Sequence, residues 1–147
     1  MFYTTKKRRS KLRLPILHRL LILYHNEFGF VKPRILAIND IGCVGVAPEC
    51  KIITLKGLNN SGVGELKYVI KALEEVCIIK PDVVSMSLGT DENDEDLHKA
   101  IKKVYDLNIP IIVAVGNGGI GTKVNYPAAY PECIAVGAYG KDGYLAT

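Results

Sequence analysis

The sequence predicts an α/β fold built on a parallel sheet, and three observations lead to this class. From residue 51 onward, short apolar runs alternate with longer stretches whose apolar residues recur at helical spacing. The links between them are short, and this order with short links is typical of right-handed crossovers in a parallel sheet. The composition also fits a buried core: 48% of the 147 residues are hydrophobic and 23% are charged, which excludes a disordered or collagen-like chain.

Four apolar runs are predicted as strands, at residues 52–55, 83–88, 109–115 and 134–138. The turn-prone segment 57–62 follows the first run, and Gly89 ends the second. The third run is apolar at almost every position, which is typical of a strand that is covered on both faces.

Two amphipathic helices are predicted between these strands. The first spans residues 65–79 and is stopped by Pro81. Its predicted buried stripe consists of Leu66, Val69, Ile70, Leu73 and Cys77. Asn93 or Asp94 is expected to cap the second helix, whose first turn is acidic, as the helix dipole favours. The buried stripe of this helix is predicted to consist of Leu97, Ile101, Val104 and Leu107.

Charge divides the chain into two parts. Residues 1–34 hold nine basic residues and one acid, a net charge of +8, whereas residues 35–147 carry a net charge of −4. The apolar run 14–24 is shorter than the ~20 residues of a membrane span, and no small-residue cleavage site marks it as a signal peptide. A basic amphipathic helix on anionic lipid or nucleic acid is an alternative. We expect residues 1–34 to form a solvated basic extension, with neither membrane nor nucleic acid as a partner.

Polar and glycine residues follow two of the predicted strands. Ser87 and Gly89 end one strand, and the run GNGGIGTK at residues 116–123 follows another. Ligands bind beyond the carboxyl ends of the strands in open parallel sheets, so a site is expected there. A phosphate loop needs Gly-Lys-Ser or Gly-Lys-Thr where this chain has Gly-Thr-Lys, which argues against nucleotide binding. Asn117 could instead present an amide N–H to a developing oxyanion, or serve as a turn residue.

An ordered series of motifs resembles the subtilisin-like serine peptidases, closest in character to their intracellular branch. The motifs are GVAPE (45–49), NNSGVG (59–64), DVVSMSLG (82–89), IIVAVGNGG (111–119) and YPAAYPECIAVGA (126–138). The resemblance covers residues 35–147, which are expected to form a partial peptidase domain. It implies a parallel-sheet, three-layer αβα subtilisin-like fold, truncated at both ends.

The resemblance also implies roles for individual residues. Asn117 matches the asparagine of the oxyanion hole. Ser87, Leu88 and Gly89 match the segment that pairs with the substrate backbone. Ala114 and Gly116 match the wall of the pocket for the side chain that precedes the scissile bond. Gly62, Val63 and Gly64 match the opposite substrate-binding segment, so an extended peptide or protein is the implied substrate, bound by strand addition.

The resemblance implies no cofactor for catalysis, but it does imply a structural calcium ion. Asn39, Ile41 and Cys43 fall near a loop that binds calcium in many relatives, mostly through backbone carbonyls. The other ligands of that loop have no counterpart in this sequence, and the loop is shortened.

The catalytic triad of the family has no counterpart in the sequence. The mechanism needs a Ser nucleophile, a His base and an Asp that orients the His. The motifs Gly-Thr-Ser-Met-Ala, His-Gly-Thr-His-Val and Asp-Thr-Gly do not occur, and the position expected for the catalytic His falls at Val31. We therefore predict that this chain alone has no peptidase activity and that a second protease fragment could complement it. A non-catalytic peptide-binding or regulatory module is the alternative, and a nucleotide-binding domain is a third.

The four cysteines show no metal-ligand spacing. Cys77 lies on the predicted buried stripe of the first helix, and Cys133 opens the last strand, so both are interpreted as small core residues. With no clear signal peptide, this usage predicts a cytoplasmic protein.

Overall fold

A parallel sheet organises the chain, as the sequence predicts, but it has five strands in the described residues where four were predicted. The computed structural model describes residues 19–24 (backbone only), 47, 50–59, 61–141 and 143–144. The strands are β1 (Arg19–Tyr24), β2 (Lys51–Lys56), β3 (Val83–Met86), β4 (Ile111–Ala114) and β5 (Ile134–Val136). They lie in the order β2-β1-β3-β4-β5, and every neighbouring pair is parallel.

Strand β1 corrects the interpretation of the basic segment. Residues 19–24 do not form a solvated extension; they pair with β2 on one side and β3 on the other. The pairing with β2 begins at Arg19↔Lys51, and the pairing with β3 begins at Leu20↔Val83. The apolar run RLLILY therefore fills the middle of the sheet. The other residues of the predicted extension lie outside the described part of the chain.

Two helices connect the strands, α1 (Leu66–Ile79) and α2 (Glu95–Tyr105). Lys80 caps the carboxyl end of α1 and adopts a left-handed conformation immediately before Pro81. Asp94 caps α2, and its side chain accepts a hydrogen bond from the backbone N–H of Leu97 at 2.8 Å. Neither helix is long and apolar enough to cross a membrane, and the same holds throughout the described residues.

The core lies between the helices and one face of the sheet. Both helices pack on each other, so they share that face, and their buried residues meet alternate residues of β3 and β4. The fully buried strand residues are Val84, Met86, Ile111 and Val113, and the helices contribute Val69, Leu73, Val76, Leu97, Ile101 and Val104. Leu107 was predicted in this stripe but is 39% exposed, because α2 ends at Tyr105.

The opposite face of the sheet is much more open among the described residues. Because side chains alternate along a strand, Ile112, Ala114, Ile134 and Val136 share this face. Ile134 is 53% exposed and Val136 is 48% exposed. The described helices thus form one layer on the sheet, and the second helical layer of the predicted three-layer fold is not among the described residues.

Candidate functional site

The carboxyl ends of β3 and β4 form one wall each of a cavity of about 1020 Å³. The residues that leave these strands line it: Ser87, Leu88 and Gly89 after β3, and Ala114, Gly116 and Asn117 at the end of β4. All six were predicted as site residues. The parallel sheet brings them together because neighbouring strands end at the same edge.

A second cavity, of about 470 Å³, lies on the other side of the segment 87–89. Gly62, Val63 and Gly64 line it together with Ser87, Leu88 and Gly89. Val63 is 66% exposed, so its apolar side chain is available to a ligand. The segment 87–89 is therefore a ridge between two cavities, and the three predicted substrate-binding residues of the 62–64 loop stand opposite it.

The loop that carries Gly62, Val63 and Gly64 is closed by Asn59. The Asn59 side-chain oxygen accepts hydrogen bonds from the backbone N–H groups of Ser61 and Val63, both at 3.0 Å. The Asn59 backbone N–H donates to the Val63 carbonyl at 2.8 Å. The sequence predicts Asn59 as a turn residue, and its place in an asparagine-rich turn before a helix is the signal for this role.

The loop that carries Asn117 is held from two directions. The Thr122 hydroxyl donates to the Gly119 carbonyl at 2.9 Å and so closes the turn. Farther on, the Asn125 N–H donates to the Val115 carbonyl at 3.1 Å, and Tyr126 forms an antiparallel bridge with Thr90. Residues 125–126 therefore join the continuations of β3 and β4. Asn117 itself is exposed at the cavity.

A polar cluster fixes the segment after Tyr126 to the start of α2. The Tyr130 hydroxyl lies 2.8 Å from the Asp94 carbonyl oxygen and 2.9 Å from Asn93 Oδ1. The His98 ring stacks on Tyr130 with centroids 4.1 Å apart, and His98 Nε2 lies 3.0 Å from Glu132 Oε2. Burial raises the pKa of Tyr130, which keeps its hydroxyl protonated. This cluster was not predicted from the sequence.

Two of the described thiols, those of Cys77 and Cys133, are poor nucleophiles because they stay protonated. Burial raises the pKa of Cys133 to about 12, and the neighbouring Glu132 carboxylate adds to the effect. Burial also raises the pKa of Cys77. A thiol that stays protonated near neutral pH is chemically inert, and both side chains pack against the core as predicted.

Neither a triad nor a metal centre is present in the described part of the chain. Ser87 lines both cavities, but no histidine does; the one described histidine, His98, is held by Glu132. No group of three or more His, Cys, Asp or Glu residues among those described could hold a metal ion. The predicted calcium ligands Asn39, Ile41 and Cys43 lie outside the described residues.

A comparison with known protein families identifies the family of this chain. The model of the subtilase family matches residues 32–147. The chain belongs to the subtilase family. This confirms the resemblance drawn from the five motifs, and the parallel sheet with its helices agrees with the predicted subtilisin-like α/β fold.

Individual subtilases are similar to this chain over most of its length. The intracellular serine protease of Paenibacillus polymyxa is 39% identical over 108 residues, covering 71% of this chain and 33% of that protein. The minor extracellular protease Epr of Bacillus subtilis (strain 168) is 38% identical over 109 residues, covering 74% of this chain and 17% of that protein. The chain therefore spans a third or less of the length of these two relatives.

A solved subtilase structure shows the same fold. The prenylagaramide maturation protease PagA superposes with a TM-score of 0.77 at 21% identity. The superposition covers 89% of this chain and 57% of that chain.

Proposed function

We propose that this chain is the peptide-binding part of a subtilase endopeptidase domain and that it does not hydrolyse peptide bonds by itself. One observation carries the proposal: all eight predicted substrate-binding residues, together with Asn117, line two cavities that share the ridge 87–89. Membership of the subtilase family supports a peptide or protein as the ligand.

The bound peptide would lie as a strand between the ridge and the 62–64 loop. The sheet ladder of β3 ends at Met86, and the next paired residue is Thr90, which bridges to Tyr126. The backbone of Ser87, Leu88 and Gly89 is therefore outside the described sheet and suits pairing with a peptide. Asn117 would then direct its amide N–H at the carbonyl of the scissile bond.

The absence of triad motifs from the sequence supports the lack of hydrolysis. In enzymes of this type, removal of triad members leaves only a residual ~10³–10⁴-fold acceleration over water. A fluorophosphonate probe, which labels the nucleophile of serine hydrolases, tests this directly. We expect no labelling of the chain under conditions that label the intracellular serine protease of Paenibacillus polymyxa stoichiometrically. Stoichiometric labelling of the chain would overturn the proposal.

Peptide binding is tested separately, by fluorescence anisotropy of labelled tetrapeptide acids of sequence Ala-Ala-Ala-Xaa, in which Xaa is Asn, Gln, Phe or Lys. We expect saturable binding that is lost when alternate backbone nitrogens are methylated, because strand addition depends on main-chain hydrogen bonds. Equal binding of methylated and unmethylated peptides would contradict the strand-addition mode. Binding of none of the peptides would contradict the peptide-binding function.

We also propose that a second subtilase segment covers the open face of the sheet. This face, defined by Ile112, Ala114, Ile134 and Val136, is apolar and largely exposed among the described residues. The chain matches only 33% of the Paenibacillus polymyxa protease, so that protease has a large remainder that could pack there.

The nucleotide-binding alternative predicts thermal stabilisation by nucleotides, and we expect none.

The proposal also includes a structural calcium ion bound at Asn39, Ile41 and Cys43. It further includes a cytoplasmic location. Similarity to an intracellular protease supports the location, as do Cys50, Cys77 and Cys133, which form no disulfide among the described residues. Cell fractionation tests the location, and a calcium-dependent rise in the unfolding temperature tests the site.

A further inference from the structure

Asn117 is followed by Gly118, and this is the one Asn-Gly pair in the sequence. The backbone nitrogen of the residue after an asparagine can attack the carbon of the side-chain carboxamide. A side chain on that following residue shields the nitrogen, whereas glycine has none and also reaches the backbone conformations that ring closure requires. Asparagine is a thermally labile residue for this reason. The pair is therefore the place in the chain where loss of ammonia is chemically easiest.

The structure leaves both reacting groups of this pair open. Asn117 and Gly118 are exposed, and both line the larger cavity beyond the end of β4. No described residue forms a hydrogen bond with the Asn117 carboxamide or with the Gly118 N–H. The turn is closed one residue later, where the N–H and the hydroxyl of Thr122 donate to the Gly119 carbonyl at 3.4 and 2.9 Å. A segment without hydrogen bonds at its reacting atoms opens at little cost.

Two other exposed asparagines lack one of these features each. The Asn59 carboxamide is held, because its oxygen accepts two backbone N–H groups at 3.0 Å. Asn108 is followed by Ile109, whose side chain is stiff at its branched Cβ and only 6% exposed. Exposure alone therefore does not make an asparagine reactive, and Asn108 serves as an internal reference.

The packing of the loop requires glycine at position 118. An ideal Cβ there would lie 2.5 Å from Thr122 Oγ1 and 2.9 Å from Thr122 Cβ. A larger residue would therefore displace the hydroxyl that closes the turn. The role proposed for Asn117 requires a carboxamide N–H. These two requirements fall on adjacent residues, so the reactive pair accompanies this loop.

We propose that Asn117-Gly118 is a self-modification site, at which the chain loses ammonia and exchanges the amide donor of the candidate site for a carboxylate. The Gly118 nitrogen forms a bond with Asn117 Cγ, the bond between Cγ and Nδ2 breaks, and ammonia leaves with the proton of the Gly118 N–H. Water then opens the five-membered imide at one of its two carbonyls. Opening at Cγ gives aspartate, and opening at the main-chain carbonyl gives isoaspartate.

The product cannot serve as an oxyanion donor. An ionised carboxylate accepts hydrogen bonds but donates none, and an exposed aspartate is ionised near neutral pH. A peptide acid brings its own terminal carboxylate to the place of the scissile carbonyl, so the two negative charges repel each other. Isoaspartate also lengthens the backbone of the loop. This loss of binding rests on the proposed function, whereas the modification itself does not.

Mass spectrometry of the full chain during incubation at neutral pH tests the modification. Replacement of the amide NH₂ by OH raises the mass, tandem spectra locate the change, and enzymatic methylation detects isoaspartate. A synthetic peptide of residues 115–123 gives the rate of the unprotected pair. We expect Asn117 to convert in the chain at a rate within about tenfold of that peptide, because the loop offers little protection. Asn108 should stay unchanged, and Asn117→Gln, which would need a six-membered ring, should gain no mass at this position.

The dissociation constants of the tetrapeptide acids test the consequence. The incubated chain and Asn117→Asp should both bind these peptides at least about tenfold more weakly than the fresh chain. Asn108→Asp is the matched control, because it adds the same charge at an exposed position beyond α2, with a φ of 58° that aspartate tolerates. This control should bind as the fresh chain does. Urea unfolding verifies that each protein is folded.

The outcomes separate this inference from the proposed function. Slower conversion than expected at Asn117, or none, overturns the modification site and leaves the peptide-binding function standing. Conversion without any loss of affinity overturns the claim that the modification disables the site. If the fresh chain binds none of the peptides, the proposed function fails, and the mass measurement alone decides the modification.

Discussion

Gly64 lies where a side chain would collide with the backbone of its own loop. An ideal Cβ at this position would be 2.6 Å from the Gly57 carbonyl oxygen and 2.7 Å from Leu58 Cδ2. A backbone oxygen cannot rotate out of the way as a side chain can, so any larger residue must displace the segment 57–64. Glycine at this position therefore keeps the loop, closed by Asn59, at its distance from the ridge 87–89.

Gly64→Ala is expected to destabilise the chain by about 1–3 kcal/mol, the usual range for overpacking, and to weaken peptide binding. Urea unfolding and anisotropy measure the two effects. Gly57→Ala is the control in the same loop, because its Cβ would meet Val69 at an ordinary 3.5 Å. The control should be neutral or slightly stabilising. Equal losses in both variants would show that the close approach at Gly64 has no special effect.

At the scale of elements, the segment 126–133 depends on its attachment to α2 through Tyr130, His98 and Glu132. The Glu132 side chain is only 11% exposed. Burial opposes its ionisation, but hydrogen bonds from its own backbone N–H and from His98, together with the charges of His98 and Lys102, outweigh burial and lower the pKa of Glu132. The ionised carboxylate thus stabilises the folded chain.

Because the pKa is lowered on folding, this stabilisation is fully present above the ordinary value of 4.5 and is lost as the pH falls through the folded value. Glu132→Gln should lower the free energy of unfolding by about 1–2 kcal/mol at pH 7, with a difference that shrinks towards pH 3. Denaturant unfolding across this range measures it. Glu75→Gln, on the exposed face of α1, is the control and should follow the unaltered chain. A constant difference at all pH values would contradict the role of the carboxylate.

The elements that the sequence predicts well are those with local signals. The periodicity of α1, the stop at Pro81 and the cap at Asp94 depend on neighbouring residues, so α1 was predicted within one position at each end and the start of α2 at its observed cap. Strand β1 was missed because the basic residues before it dominate the local pattern, whereas its pairing with β2 and β3 joins residues about 30 and 60 positions apart.

The residues of the candidate site likewise fall into those that sequence motifs predict and those that they do not. Asn117 and the segments 62–64 and 87–89 were found through ordered motifs. Asn125 and the cluster around Tyr130 were missed, because their contacts form only when segments such as 89–98 and 125–132 meet in three dimensions. No spacing in the sequence marks such contacts.

At the scale of the whole molecule, the sheet is buried on one face and open on the other among the described residues. Ile111 is fully buried under the helices, whereas Ile134, on the neighbouring strand and the opposite face, is 53% exposed. A large apolar patch of this kind marks an interaction surface or an aggregation-prone one. The partner proposed for it is the part of a subtilase domain that lies outside the matched region in longer relatives.

Two matched isoleucine truncations test this partner. In the chain alone, Ile111→Ala should reduce the free energy of unfolding by about 2–5 kcal/mol, as for a buried residue, whereas Ile134→Ala should change it by less than about 1 kcal/mol. We then expect a fragment of the Paenibacillus polymyxa protease from outside the matched region to bind the chain and raise its unfolding temperature. Ile134→Ala should weaken this association at least tenfold while the chain stays folded. Association that is insensitive to Ile134→Ala would place the partner on another surface of the chain. The absence of any association would overturn the proposal that a second segment covers the open face.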